Sequence, residues 1–135
     1  MKQLALGLTA FTTFGIMVYW LLVFTNIFKV SELVPGYRNW FMSFPLADGW
    51  IAIASLLAFI FLLQGDSRAA LFGLLSGSSL IFLGLYALLY GFNTGLIFQL
   101  TTDELIEIAI KAYCLSVGTF FIVYFWNLAK GMLSK

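Results

Sequence analysis

The sequence predicts an all-α fold, a polytopic membrane protein whose four transmembrane helices form a bundle. Of its 135 residues, 62% are hydrophobic and only 10% are charged, whereas soluble domains carry about 25% charged residues. A chain of this length has too little interior to bury so many apolar side chains away from water. Four segments also approach the roughly 20 residues that a helix needs to span the hydrocarbon core. We therefore predict a single transmembrane domain over residues 1–135, with the lipid bilayer as its surroundings.

The first two predicted helices cover about residues 4–28 and 48–64. The first is free of charge, and its length without a clear small-residue cleavage site indicates a retained helix and not a removable signal peptide. The second is short for a full crossing. Gly65 fits the position after a helix end, and Asp66 or Ser67 fits the N-cap of the next helix. This pattern predicts a tight turn between two antiparallel neighbours.

The third predicted helix covers about residues 68–92 and carries a stripe of glycines. These are Gly73, Gly77, Gly84 and Gly91. In lipid, such a smooth stripe lets helix backbones approach closely. It is predicted to be a packing face, either within the bundle or between the subunits of a homo-oligomer.

The fourth predicted helix covers about residues 102–130 and opens with capping-box spacing between Thr101 and Glu104. In this motif the threonine hydroxyl accepts from the backbone N–H three residues later. Acidic residues in the first turn also suit the positive end of the helix dipole.

The distribution of basic residues predicts the orientation, because cytoplasmic loops are enriched in Lys and Arg. One side collects Lys2, Arg68, Lys130 and Lys135, and the other collects Lys29, Arg38 and Lys111. We therefore expect a multi-pass protein of the cell membrane with both termini in the cytoplasm. Interfacial aromatic belts are expected at Trp20, Trp40 and Trp50 on the outer side and at Trp126 on the inner side.

The two predicted outer loops, residues 29–47 and 93–100, are much longer than the inner turn, so a local function is expected at the outer side. The second half of the first loop is apolar and aromatic, with Trp40, Phe41 and Phe44. It is predicted to lie in the membrane interface or to re-enter the bundle. Pro45 disfavours a helical conformation at Phe44, so the second helix is expected to begin after it.

Asp48, at the end of this loop, has two interpretations. As the N-cap of the second helix it would satisfy free backbone donors and would be structural. If the aromatic stretch is sunk in the membrane, Asp48 is instead a buried carboxylate facing the bundle, and such acids are commonly functional.

Lys111 lies about two turns into the fourth helix and also has two interpretations. It can snorkel toward the interface and pair with Glu107, four residues earlier, as an anchor only. Alternatively, it belongs to a polar ligand-binding pocket beneath the first outer loop. The candidate residues of that pocket are Asp48, Glu107, Lys111, Arg38, Asn26 and Tyr90.

Several functional classes are excluded or disfavoured by composition. The chain has no histidine, which removes bis-histidine haem and histidine-based acid–base catalysis. It has a single cysteine, Cys114, and no metal-ligand spacing, so neither a metal site nor a cofactor is predicted. A net charge of +1 without a basic cluster predicts no nucleic-acid partner.

The favoured function is non-enzymatic: binding of a lipophilic small molecule, or service as an accessory subunit to a membrane protein partner. One alternative is an oligomeric transporter of small molecules or ions. In size the chain resembles the small multidrug resistance exporters, but the membrane-buried glutamate of their first helix has no counterpart in the first helix here. The second alternative is a lipid-modifying enzyme with Asp48 and Glu107 as acid and base. In the favoured interpretation no residue is catalytic.

Overall fold

The computed structural model describes residues 1–134 and is helical apart from its connections, so the predicted all-α membrane bundle is confirmed. Lys135, which entered the orientation argument, lies outside the described residues. The helices are α1 (Lys2–Phe24), α2 (Tyr37–Phe41), α3 (Pro45–Gln64), α4 (Arg68–Thr94) and α5 (Thr102–Leu133), with a 3₁₀ turn at Leu96–Phe98 before α5. Four segments are long and apolar enough to cross a membrane: α1, the α2–α3 segment, α4 and α5.

The long helices pack in the order α1, α3, α4, α5, with each antiparallel to the next. Helices α1 and α5 also meet, where the hydroxyls of Thr12 and Tyr113 lie 2.7 Å apart. Residues 25–44 and 95–101 connect helices at one end of the bundle, here named the long-loop end. The α3–α4 connection lies at the opposite end, here named the turn end.

The α3–α4 turn has the predicted geometry. Gly65 takes a left-handed conformation with φ of +70° and ends α3. Ser67 occupies the N-cap of α4, but Asp66 supplies the polar contacts, since its carboxylate accepts hydrogen bonds from the backbone and side chain of Arg68. These hydrogen bonds lower the pKa of Asp66 below its usual value. A compact turn leaves α3 and α4 as antiparallel neighbours.

Three helix ends differ from the prediction at the long-loop end. Helix α3 begins at Pro45, not near residue 48, because proline at the first helical position sacrifices no hydrogen bond. Helix α1 ends at Phe24, shortly before Asn26 takes a φ of +57°. Helix α4 extends to Thr94, where Gly95 takes a left-handed conformation. At the turn end, α5 continues beyond residue 130 to Leu133.

The glycine stripe of α4 lies against α5 within the same chain. A Cβ added at Gly77 would lie 2.9 Å from the Cβ of Phe121 and 3.0 Å from the carbonyl oxygen of Gly118. A Cβ added at Gly73 would overlap the ring of Phe125. The α4 and α5 backbones therefore approach more closely here than any larger residue at these positions would allow.

A few buried hydroxyl groups form hydrogen bonds between the helices. The hydroxyls of Ser55 on α3 and Ser76 on α4 lie 2.7 Å apart in a fully buried position. Thr13 on α1 donates to the carbonyl of Ala52 on α3. The hydrogen-bonding capacity of these hydroxyls is thus met by neighbouring helices, as is common in membrane proteins.

Candidate functional site

An aromatic cap covers the bundle at the long-loop end. Helix α2 buries Tyr37 and Phe41 against the long helices. Trp40 stacks on Tyr90 of α4, with ring centroids 3.9 Å apart and planes inclined by 7°. The ring of Phe41 lies 5.4 Å from that of Trp20 on α1. The apolar half of the first loop therefore packs onto the bundle, because its aromatic rings bury apolar surface there and form ring pairs with the long helices.

The start of this cap is held by a carboxylate. Gly36 takes a φ of +84° at the N-cap of α2. Glu32 accepts hydrogen bonds from the backbone N–H groups of Gly36 and Arg38, donors that would otherwise lack a partner within the helix. The loop thus has fixed local geometry.

A cavity of about 50 Å³ lies beneath the cap. Its aromatic wall is formed by Tyr19, Trp20, Trp40, Phe41 and Phe44. Its ionisable lining groups are Asp48, Glu107, Lys111 and Cys114. The predicted pocket residues Asp48, Glu107 and Lys111 are therefore brought together from two helices that lie apart in the sequence.

Asp48 is a buried carboxylate and not an N-cap. Its side chain is 9% exposed, and its Oδ2 accepts a hydrogen bond of 2.7 Å from Nε1 of Trp20. Its Oδ1 has no hydrogen-bond partner among residues 1–134. The N-cap interpretation is wrong because α3 begins at Pro45, and the N–H of Asp48 is already bonded to the carbonyl of Phe44.

The predicted position of Trp20 in an interfacial aromatic belt is wrong. It is 7% exposed and points into the bundle toward Asp48, not toward the membrane interface. A buried indole N–H needs an acceptor, and the carboxylate supplies one. Trp50 and Trp126, by contrast, are exposed on the bundle surface.

Lys111 pairs with Glu104 and not with Glu107. Its ammonium lies 3.1 Å from Oε1 of Glu104, and the two side chains are 6% and 2% exposed. The expected pairing with Glu107 and the snorkelling of Lys111 are both wrong. Side chains of a helix lean toward its N-terminus, and lysine is long enough to reach two turns back. Gly91 lies beside the ammonium, where an added Cβ would be 3.5 Å from Nζ.

Glu104 is the site residue that the sequence reasoning missed. The predicted cap is present, since the Thr101 hydroxyl accepts from the N–H of Glu104. The Glu104 carboxylate turns inward to Lys111 and does not complete the capping box. The seven-residue spacing does place Glu104 on the same side of α5 as Lys111, but four-residue spacing favours Glu107 as the partner, so Glu104 was not among the predicted pocket residues.

Glu107 lies between the main cavity and a smaller one. It is half-buried and lines both spaces. The smaller cavity, of about 10 Å³, is also lined by Lys29 from the long loop and by Asp103. Glu107 is thus the least buried of the carboxylates Asp48, Glu104 and Glu107.

The other predicted pocket residues lie elsewhere. Asn26 and Arg38 are exposed and line a separate cleft of about 390 Å³ at the surface of the long loop. Tyr90 is half-buried and supports Trp40 from α4. The predicted membership of these three residues in the pocket is therefore wrong, since none of them lines the cavity that contains Asp48.

Three chemical properties describe this site. Three carboxylates, Asp48, Glu104 and Glu107, accompany one ammonium, that of Lys111. Within residues 1–134, no group of three or more His, Cys, Asp or Glu side chains is arranged to hold a metal ion. Cys114 is 3% exposed on the cavity wall and carries the single thiol of the chain.

Comparison of this chain with models of known protein families, with curated proteins and with solved structures finds no match. Function must therefore be argued from the site. What the fold and the sequence establish together is a multi-pass, four-helix membrane protein.

Proposed function

We propose that this protein binds a lipophilic small molecule whose polar head group occupies the cavity beneath the aromatic cap. The observation that carries the proposal is a set of buried polar atoms at this cavity. Oδ1 of Asp48, the hydroxyl of Tyr19 and Nε1 of Trp40 have no hydrogen-bond partner in the described part of the chain. All three residues line the cavity.

Unpartnered buried polar atoms are costly, at about 1–3 kcal/mol each. A head group that bonds to them recovers that free energy, so their clustering favours a bound ligand. One or a few waters could recover part of it, since a water needs only about 10–15 Å³ of such volume.

The size of the cavity limits what enters it. About 50 Å³ is well below the roughly 150 Å³ of an engineered cavity that binds benzene, so only a small head group fits. The apolar body of the ligand would then lie outside the cavity, against the cap or the surrounding lipid. With both termini in the cytoplasm, the head group would enter from the outer side.

The packing below the cavity supports binding over transport. Gly77 and Gly118 bring α4 and α5 into backbone contact toward the turn end, and the paired hydroxyls of Ser55 and Ser76 close the space between α3 and α4. A transporter with its pathway through this bundle would have to open these contacts in each cycle. A binding protein uses one end of the bundle only.

The test is co-purification with a cavity-filling variant. The full chain, purified in a mild detergent after incubation with total lipid extract of the expression host, is analysed by extraction and mass spectrometry. Ala87→Leu places a larger side chain on the cavity wall, where Ala87 is 8% exposed. Ala112→Leu, at an exposed position of α5, is the matched control.

We expect a stoichiometric lipophilic molecule with the native chain and with Ala112→Leu, and its loss from Ala87→Leu. Thermal unfolding of each variant shows whether the fold is kept. Recovery of the same molecule from all three proteins would contradict binding in this cavity. So would the absence of any stoichiometric molecule from the native chain, a result that needs no variant.

A further inference from the structure

We propose that the head group is an organic cation, an amine or ammonium held by Asp48 within the aromatic wall. This inference rests on the proposed function and names its ligand class.

The site holds more negative than positive groups. Lys111 is already bonded to Glu104, which leaves Asp48 and Glu107 as the remaining carboxylates on the cavity wall. A buried charge is stable only when a partner compensates it. The smaller cavity beside Glu107 is also lined by Lys29, an exposed residue.

Asp48 is the carboxylate whose compensation is missing. Its Oδ2 is bonded to Trp20, which carries no charge. Its Oδ1 is buried and free of partners within residues 1–134. An ammonium N–H bonded to Oδ1 would supply both the missing hydrogen bond and the opposite charge. Glu107, in contrast, is half-buried and shares the smaller cavity with Lys29.

The cavity wall has the composition that attracts cations. Trp40 and Tyr19 stand beside Asp48 in the lining, together with Phe44. The faces of aromatic rings carry negative potential, and cation–π attraction is strongest for tryptophan and increases away from water. An anionic head group would meet the carboxylates of Asp48 and Glu107, and the one ammonium on the wall, that of Lys111, is already paired with Glu104.

A metal cation fits less well than an organic one. Hard divalent cations need about six oxygen ligands, and the part of the chain described here contains no acidic cluster able to provide them. An ammonium donates to Oδ1 of Asp48 and to the hydroxyl oxygen of Tyr19, both on the cavity wall. Nε1 of Trp40 is itself a donor, and a water or a hydroxyl group of the ligand accepts from it.

The test compares three probes with the same ten-carbon chain: decylamine, 1-decanol and decanoate. The protein is reconstituted in nanodiscs of zwitterionic phosphatidylcholine at pH 7, and empty nanodiscs correct for partitioning into lipid. Trp20 and Trp40 line the cavity, so binding is followed as a saturable change in tryptophan fluorescence. Asp48→Asn keeps the shape of the side chain and removes its charge. Asp66→Asn, the same change at the turn end, is the matched control.

We expect decylamine to saturate at a concentration about tenfold or more below that of decanol, the difference expected for a hydrogen bond to a charged group. Decanoate should not saturate. Asp48→Asn should weaken the binding of decylamine about tenfold and change the binding of decanol little. Asp66→Asn should change the binding of neither probe.

If decanol and decylamine saturate the native chain at the same concentration, the inference of a cationic head group is overturned, while the proposal that the protein binds a lipophilic molecule stands. Failure of all three probes to saturate would count against the proposed function as well. The head-group comparison in the native chain decides the inference even if Asp48→Asn does not fold.

Discussion

Removing the ammonium of Lys111 should destabilise the bundle strongly, because it leaves Glu104 buried without its partner. The ion pair measures 3.1 Å, and its side chains are only 6% and 2% exposed. Breaking a buried pair by removal of one partner costs about 3–5 kcal/mol. We expect Lys111→Met to lose that amount, and Glu104→Gln to lose a comparable amount. The double variant should recover much of it, because both buried charges are then gone.

The measurement is a double-mutant cycle on the free energy of unfolding, from reversible titration of mixed micelles with sodium dodecyl sulfate followed by circular dichroism. Because the two single losses of about 3–5 kcal/mol each add up to more than the loss in the double variant, the coupling between Glu104 and Lys111 should be about 3 kcal/mol or more, at or above the upper end of the range found for contacting residues. The matched cycle uses Glu107→Gln, since Glu107 has the more usual helical spacing to Lys111. A larger coupling for Glu107 than for Glu104 would refute the reasoning and restore the pairing predicted from spacing.

Three further predictions concern other parts of the chain. Gly77→Ala should be about 1–3 kcal/mol less stable than Gly7→Ala in the same titration, because an added Cβ meets α5 at Gly77 but nothing within 4 Å at Gly7; equal stability would contradict the close helix approach. Trp20→Phe should cost about 1.5–3 kcal/mol through loss of the hydrogen bond to Asp48, and its cost should shrink in an Asp48→Asn background; an unchanged cost would show that ring packing alone matters. The lowered pKa of Asp66 means that its contribution is present above its unfolded pKa of about 3.9 and is lost as pH falls through the folded value. The stability difference between the native chain and Asp66→Asn should therefore be constant at neutral pH and vanish in acid, whereas a difference that persists in acid would contradict the ion pair.

The features that could be predicted depend on local rules or on the thickness of the bilayer. Helix number follows from apolar length. The α3–α4 turn follows from Gly65, because a left-handed helix end strongly favours glycine. The packing role of Gly77 follows from the absence of a side chain in a spacing that repeats along one helix face.

The candidate site could be predicted only in outline. Asp48, Glu107 and Lys111 were recognised as polar residues in apolar surroundings, which is a signal of composition. Their contacts could not be predicted in the same way. Lys111 pairs with Glu104, which is more deeply buried than Glu107. The burial of each carboxylate depends on how α5 packs against the other helices, and spacing along α5 does not give that information.

Bilayer thickness, helix rise and turn chemistry act on contiguous residues, so four membrane-spanning helices with long loops at one end follow from the order of the residues alone. The packing of the bundle is needed to explain why Trp20 meets Asp48, why Asn26 and Arg38 lie outside the cavity, and why the aromatic loop closes over it. Those contacts join residues far apart in the chain. Helical periodicity fixes which side chains share a face, but the neighbour that each face meets is set by packing of the whole bundle.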